Sequence, residues 1–112
     1  MEIHMNEHTP VSVVAITGSL DALTSADFSS FMSGQIERGK SQLIVDLSQV
    51  DYMSSSGLRA ILAALKEARQ LGGDLRLAAA QAGVEKILKL SGFMSILKFY
   101  PTVDEALSSF SM

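Results

Sequence analysis

The feature that most constrains the fold is the alternation of short apolar segments with segments whose apolar residues recur every three or four positions. The segment QLIVDLS (42–48) is continuous and apolar, which is typical of a strand buried on both faces. Strands that alternate with helices indicate an α/β domain with a partly parallel sheet. The other predicted strands are MEIHM (1–5), VSVVAITG (11–18), DLRLAAA (74–80) and MSILKFY (94–100), with NEHTP (6–10) as a turn.

Four further segments have the apolar spacing or the capping residues of α-helices. Thr24 is predicted to cap the first, with Asp27 completing a capping box, and Gly39 to end it. Thr102 is predicted to cap the last, TVDEALSSF (102–110). The apolar positions of the first three are Phe28, Phe31, Met32 and Ile36; Leu58, Ile61, Leu62, Leu65 and Ala68; and Val84, Ile87, Leu88 and Leu90.

Length and composition exclude several classes of function. A chain of 112 residues without a linker or a repeat suits one domain, residues 1–112, with a core of its own. The absence of cysteine excludes disulfides, thiolate catalysis and cysteine-ligated metals. A net charge of −3 and the lack of a basic run argue against nucleic acid and membranes as partners. No spacing of acidic residues demands a metal ion, and no cofactor is expected.

The N-terminal segment does not have the pattern of a signal peptide. No stretch approaches the ~20 apolar residues that a membrane span needs. We therefore expect a cytoplasmic protein.

Three consecutive serines, Ser54, Ser55 and Ser56, precede Gly57 at the predicted start of the second helix. Free backbone N–H groups and the positive end of the helix dipole meet there. One interpretation is that a serine caps the helix and the others are spacers. The other is that this end stabilises an anion, including a phosphate attached to a serine.

A serine nucleophile is disfavoured at this position. A hydrolase elbow has a glycine two residues before its serine, whereas Met53 stands two residues before Ser55. A serine nucleophile also needs a base. The only histidines, His4 and His8, lie in the N-terminal segment and are expected to be solvated.

Residues near the serines have both structural and functional interpretations. Asp21 lies in a loop between a strand and a helix, as a turn residue or as a polar contact for a partner or a nucleotide beside the serines. Arg59 lies four residues after Ser55 and could reach a phosphate there. The face of the second helix opposite the leucine stripe carries Ala60, Ala63, Ala64 and Glu67. The small residues there either reflect helix propensity alone or form a flat face on which a partner docks.

The segments GSLDALTSADF, LIVDLSQVDYMSSSGLRAIL, GGDLRLAAAQAGVEKILKLSGF and ILKFYPTVDEAL together resemble the STAS domain family. More closely, they resemble its stand-alone bacterial anti-sigma factor antagonists. The resemblance runs from about Val11 to Leu107. It implies a single α/β domain with a mixed, partly parallel sheet of four to five strands packed against about four α-helices.

The resemblance also implies a non-enzymatic function in partner switching. Unphosphorylated members bind an anti-sigma factor that is also a serine kinase. The kinase phosphorylates a serine and weakens the complex, and a PP2C-type phosphatase reverses this step. The alternative is an interaction subunit of a non-sigma signalling, secretion or transporter-linked assembly. A monomer is expected, since the docking face stays free.

The family's usual motif, Asp-Ser-Ser/Thr-Gly, maps onto Ser54 to Gly57. Ser55 is then the phosphoacceptor, with Ser54 and Ser56 as alternatives, and Ser54 replaces the family's acidic residue. Arg59 stands where many relatives have a small residue. The partner-binding residues that the resemblance and the helix face imply are Ser19, Asp21, Thr24, Ser54, Ser56, Gly57, Arg59, Ala60 and Ala63.

Overall fold

A computed structural model describes residues 1–111 as five strands, four α-helices and one short 3-10 helix. The α/β class and the predicted numbers of strands and helices are confirmed. In chain order the elements are β1 (Glu2–His8), β2 (Val11–Leu20), α1 (Ser25–Glu37), β3 (Gln42–Met53), α2 (Ser55–Gln70), β4 (Asp74–Ala78), α3 (Ala82–Leu90), the 3-10 helix (Phe93–Ser95), β5 (Lys98–Tyr100) and α4 (Val103–Ser109).

The sheet is mixed, and its strands lie in chain order from β1 to β5. β1 pairs with β2 in the antiparallel direction, whereas β2 to β5 are parallel. Parallel neighbours need crossover connections, and α1, α2 and α3 supply them. The carboxyl ends of the four parallel strands therefore meet at one edge of the sheet, where the loops that follow them lie together.

The sheet is covered on both faces, which explains the continuous apolar run in β3. Leu43 and Val45 belong to the larger core with α1, α2 and α3. Ile44 points the other way and joins a smaller cluster with Ala106 of α4. Successive side chains of a strand alternate between faces, so a strand buried on both sides has no polar alternation.

Several predicted element boundaries are wrong. β1 continues to His8, so the predicted turn is confined to Thr9 and Pro10. β2 and β3 continue past their predicted ends at Gly18 and Ser48, because the two strands pair as far as Leu20 and Met53. β4 ends at Ala78, since Ala79 has a positive φ of 61° and turns the chain away. The last strand begins only at Lys98, because the 3-10 helix occupies the start of the predicted segment.

A charged network ties the chain together at the opposite edge, where β4 begins. The carboxylate of Asp74 accepts hydrogen bonds of 3.0 Å from both Arg69 Nε of α2 and Arg76 Nε of β4. The Arg76 guanidinium also lies 3.9 Å from the centre of the Phe110 ring. Burial raises the pKa of Asp74, but the hydrogen bonds from Arg76 and Arg69 outweigh it and hold this pKa below its ordinary value.

Candidate functional site

The three serines lie where β3 ends and α2 begins. Ser54 is extended, and its hydroxyl accepts a 3.2 Å hydrogen bond from the Gly57 N–H. Its carbonyl accepts the first helical bond, 3.0 Å from the Leu58 N–H. Both features define an N-cap residue. The prediction that one serine caps the helix is therefore confirmed, and that serine is Ser54.

The other two serines differ in accessibility. Ser55 is the first residue of α2 and is exposed, whereas Ser56 is half-buried. The first turn of α2 carries no acidic side chain. The positive end of the helix dipole and the N–H groups of this turn therefore lie close to the Ser55 hydroxyl without a local carboxylate on the helix.

Gly57 joins the start of α2 to the end of β2. The Ser54 N–H donates a 3.0 Å hydrogen bond to the Leu20 carbonyl oxygen. A Cβ atom at Gly57 would lie 2.3 Å from that same oxygen, which is far inside normal contact. Gly57 is also buried within the domain. It acts by allowing the close approach that fixes the serines beside the loop after β2.

Asp21 closes that loop on itself. Its Oδ1 accepts hydrogen bonds of 2.9 Å from the Leu23 N–H and 3.2 Å from the Thr24 N–H. The Thr24 hydroxyl accepts a 3.0 Å bond from the Asp21 N–H and donates a 2.9 Å bond to the Ser19 carbonyl. This is the turn chemistry that aspartate favours. Thr24 is the N-cap residue of α1, as predicted, but its side chain makes no cap hydrogen bond, because its hydroxyl is directed back into the loop.

A polar link joins the two strands that carry this edge. The Ser19 hydroxyl donates a 3.1 Å hydrogen bond to Asp51 Oδ1 of β3. Ser19 also stands in register with Tyr52, and the next register pair joins Leu20 and Met53. The loop after β2 and the serines after β3 are thus held at the same end of the sheet.

Two large apolar side chains are exposed at this end. Leu23 is 90% exposed and Tyr52 is 52% exposed. The sequence-based reasoning missed both residues. Leu23 falls outside the helical spacing of the residues that follow it, which was an available signal. Tyr52 follows the buried Val50 by two positions, a spacing that predicts burial in a strand, so no signal in the sequence indicated its exposure. We call Ser19, Asp21, Leu23, Tyr52 and Ser55 the serine edge.

The small-residue face of α2 is only partly available. Ala60 and Ala64 are 7% and 3% exposed, so the prediction that they lie on an open docking face is wrong. Glu67, on the same helical face, accepts 3.0 Å hydrogen bonds from the Ser33 hydroxyl of α1. This face packs against α1. The exposed stripe that continues from Ser55 consists of Arg59 and Ala63, at intervals of four residues.

The histidines lie on β1, which β2 separates from the strand that leads to the serines. His4 and His8 are exposed on β1, and His8 pairs with Val11 at the start of β2. Within residues 1–111, no group of histidine and acidic side chains could hold a metal ion. Of the helices in this range, none combines the length and the apolar character that a membrane crossing requires.

Comparisons with known proteins identify the family. The model of the STAS domain matches residues 2–106. The chain is 30% identical over 109 residues to the anti-sigma F factor antagonist of Paenibacillus polymyxa, covering 96% of this chain and 93% of that protein. It superposes with a TM-score of 0.90, at 24% identity, on the crystal structure of an anti-sigma factor antagonist from Mycobacterium paratuberculosis, covering 99% and 94% of the two chains.

The same fold occurs in SpoIIAA, an anti-sigma factor antagonist with solved unphosphorylated and phosphorylated forms. The unphosphorylated form superposes with a TM-score of 0.76, at 18% identity, over 98% of this chain and 97% of that one. The phosphorylated form, from Bacillus, gives 0.75 at 21% identity, over 97% and 99%. Since the family model spans nearly the whole chain, this protein belongs to the STAS domain family.

Proposed function

We propose that this chain is an anti-sigma factor antagonist whose serine edge binds an anti-sigma factor that is also a serine kinase. Phosphorylation of Ser55 then weakens the complex, and a PP2C-type phosphatase restores it. The observation that carries the proposal is the exposed Ser55 at a capped helix start, beside the exposed Leu23 and Tyr52. Relatives named as anti-sigma factor antagonists support the choice of partner.

Ser55 is the best acceptor of the three serines on structural grounds. The Ser54 hydroxyl accepts the cap hydrogen bond from Gly57, so a phosphate there would replace the cap. Ser56 is half-buried, which limits access by a kinase. Ser55 is exposed, so its phosphorylation neither replaces the helix cap nor requires a half-buried side chain to become accessible. Ser54 and Ser56 are the alternative acceptors, which site mapping distinguishes from Ser55.

The proposed switch is a local change of charge. A phosphoserine adds about −1.5 to −2 charges at neutral pH, which the start of α2 accommodates within the domain. Asp21 and Asp51 lie at the same end of the sheet. At a buried contact the phosphate has to be desolvated near these carboxylates, at a cost of several kcal/mol in order of magnitude. The similar fit of this chain to both forms of SpoIIAA supports an unchanged fold.

The contact surface follows from the exposed residues of the site. Leu23 and Tyr52 would supply apolar contact area, and Arg59 and Ala63 would extend it along α2. Such an arrangement, an apolar centre with a polar rim, is what a protein interface needs. The chain thus acts by binding rather than by catalysis, as a monomer, in the cytoplasm where an anti-sigma factor works.

The test is phosphorylation with site mapping. The protein and its Ser54→Ala, Ser55→Ala and Ser56→Ala variants are incubated with Mg²⁺, ATP and the anti-sigma factor kinases of the source organism. Mass spectrometry locates the phosphate, and calorimetry measures the complex before and after. We expect one phosphoryl group on wild type and on Ser56→Ala, none on Ser55→Ala, and an affinity loss of about tenfold or more.

Other outcomes are informative. A phosphate on Ser54 or Ser56 would move the acceptor within the same proposal. A stable complex without phosphorylation would leave a binding module that is controlled in another way. Failure to bind any anti-sigma factor would favour the alternative role as an interaction subunit of a non-sigma assembly.

A further inference from the structure

A second surface lies along the C-terminal half of α2, away from the serine edge. It is a groove of about 520 Å³ between α2 and the segment that precedes β5. An adjoining cavity of about 610 Å³ is formed by residues 95–100 and shares Arg69 and Ile96 with it. The residues that line the groove are Leu62, Leu65, Lys66, Arg69, Gln70 and Ile96.

The groove is apolar at its base and cationic at its rim. Ile96 is 42% exposed and Leu62 is half-buried, so apolar surface is open to solvent there. Lys66 and Arg69 stand on the rim, and Lys98 lines the adjoining cavity. No acidic side chain lines either cavity in the described part of the chain. Arg69 and Lys98 lie 3.0 Å and 3.8 Å from the Asp74 carboxylate, but together with Lys66 these cations outnumber it, so the surface is locally positive on a protein of net charge −3.

The wall of the groove is connected by the Arg69 side chain. Arg69 Nε donates a 3.0 Å hydrogen bond to Asp74 Oδ1. Arg69 Nη2 donates another, also 3.0 Å, to the Ile96 carbonyl. One side chain thereby connects α2, β4 and the segment before β5. When a groove is already formed before a ligand binds, less conformational entropy is lost on binding.

We propose that this groove binds an acidic amphipathic helix of a partner protein. From Leu62 to Gln70 the groove follows about 12 Å of α2, which matches about two turns of a docked helix. The apolar base fits leucine-like residues at intervals of three and four, and the cationic rim fits carboxylates on the flanks of the same helix. The groove begins about 10 Å along α2 from Ser55, so this binding does not depend on the serine edge.

The probe is a synthetic helix of about four turns, with leucine at every third or fourth position and glutamate at most others. Isotope-labelled full-length protein is titrated with it and followed by amide NMR spectra. We expect saturable shifts in residues 62–70 and 95–98, with weaker binding at high salt. Matched probes have lysine in place of glutamate, or the same residues in an order without amphipathic spacing.

Two variants and one control separate the parts of the proposal. Ile96→Ser removes the exposed apolar contact, and Lys66→Glu reverses a rim charge; each is expected to weaken the acidic probe about fivefold or more. Leu90→Ser, which removes a 77% exposed leucine on α3 outside the groove, is expected to leave binding unchanged.

Several results would overturn the proposal. These are equal binding of the lysine probe, shifts centred on the serine edge, and an affinity unaffected by both Ile96→Ser and Lys66→Glu. Sedimentation of the protein with phosphatidylserine vesicles, lost in Lys66→Glu, would assign the surface to a membrane instead. Because the variants alter exposed side chains, their melting temperatures provide a check that the fold is retained.

Discussion

Replacing Gly57 by alanine tests the joint between β2 and α2. The new Cβ would lie 2.3 Å from the Leu20 carbonyl oxygen, whereas ordinary van der Waals contact begins at 3.4 Å, so the two elements have to move apart by about 1 Å. Such overpacking costs about 1–3 kcal/mol, and weakening the Ser54–Leu20 hydrogen bond about 1 kcal/mol more. Alanine returns up to about 1 kcal/mol through helix propensity.

The net expectation for Gly57→Ala is a loss of about 2 kcal/mol in the free energy of unfolding. In a chain of this length that lowers the melting temperature by about 8 °C. The assay is thermal and urea unfolding followed by circular dichroism. Binding of the anti-sigma factor should weaken as well, because the serines shift relative to the loop of Asp21.

Gly34→Ala is the matched control within α1. A Cβ at Gly34 meets nothing within 4 Å, so alanine brings only its helix propensity. We expect a gain of about 0.5–1 kcal/mol and a higher melting temperature. If Gly57→Ala were as stable as wild type, or moved in the same direction as Gly34→Ala, the close approach at Leu20 would not hold the site together and this reasoning would fail.

Two further substitutions test the ends of α2. Asp74→Asn should lower the free energy of unfolding by about 2–3 kcal/mol at pH 7, because Arg69 and Arg76 lose a charged acceptor. Since the pKa of Asp74 is lowered on folding, this stabilisation is present above its ordinary pKa of 3.8 and is lost as the pH falls through the lower pKa of the folded state. The difference in unfolding free energy between wild type and Asp74→Asn should therefore shrink in unfolding curves measured at acid pH. A difference that does not change with pH would contradict this explanation. Ser54→Ala should cost about 1 kcal/mol by removing the cap bond to Gly57, whereas Ser54→Asp should not, as urea titrations can measure.

The order of the strands and helices could be predicted from the sequence because it rests on local patterns. The limits of β3 could not. The apolar run stops at Ser48, yet β3 continues because its backbone pairs with β2 as far as Met53. Backbone pairing does not require apolar side chains, and Gln49, Asp51 and Tyr52 are exposed along this extension. The length of a strand therefore depends on its neighbour, which a local pattern does not contain.

The sequence indicated the serines and Asp21 as candidate site residues, but it did not indicate the surface around them. The apolar stripe of α2 predicted one buried side, whereas α2 is covered by both the sheet and α1. Ala60 and Ala64 are buried on that second side, which a stripe of leucines alone does not indicate. The exposure of Leu23 depends on the conformation of its loop, which the hydrogen bonds to Asp21 hold and which a local sequence pattern does not contain.

The neutral residue at position 54 has a specific consequence for the proposed switch. Serine and aspartate are comparable N-caps, so Ser54 keeps the bond from Gly57 without placing a charge beside Ser55. The carboxylates of Asp21 and Asp51 at this end are both already engaged in hydrogen bonds. A phosphate on Ser55 would add about as much negative charge as these two carboxylates carry together. The loss of affinity on phosphorylation would therefore come from the charge added at an exposed residue. The Ser54 cap and the close approach of Gly57 to Leu20 would keep α2 in place.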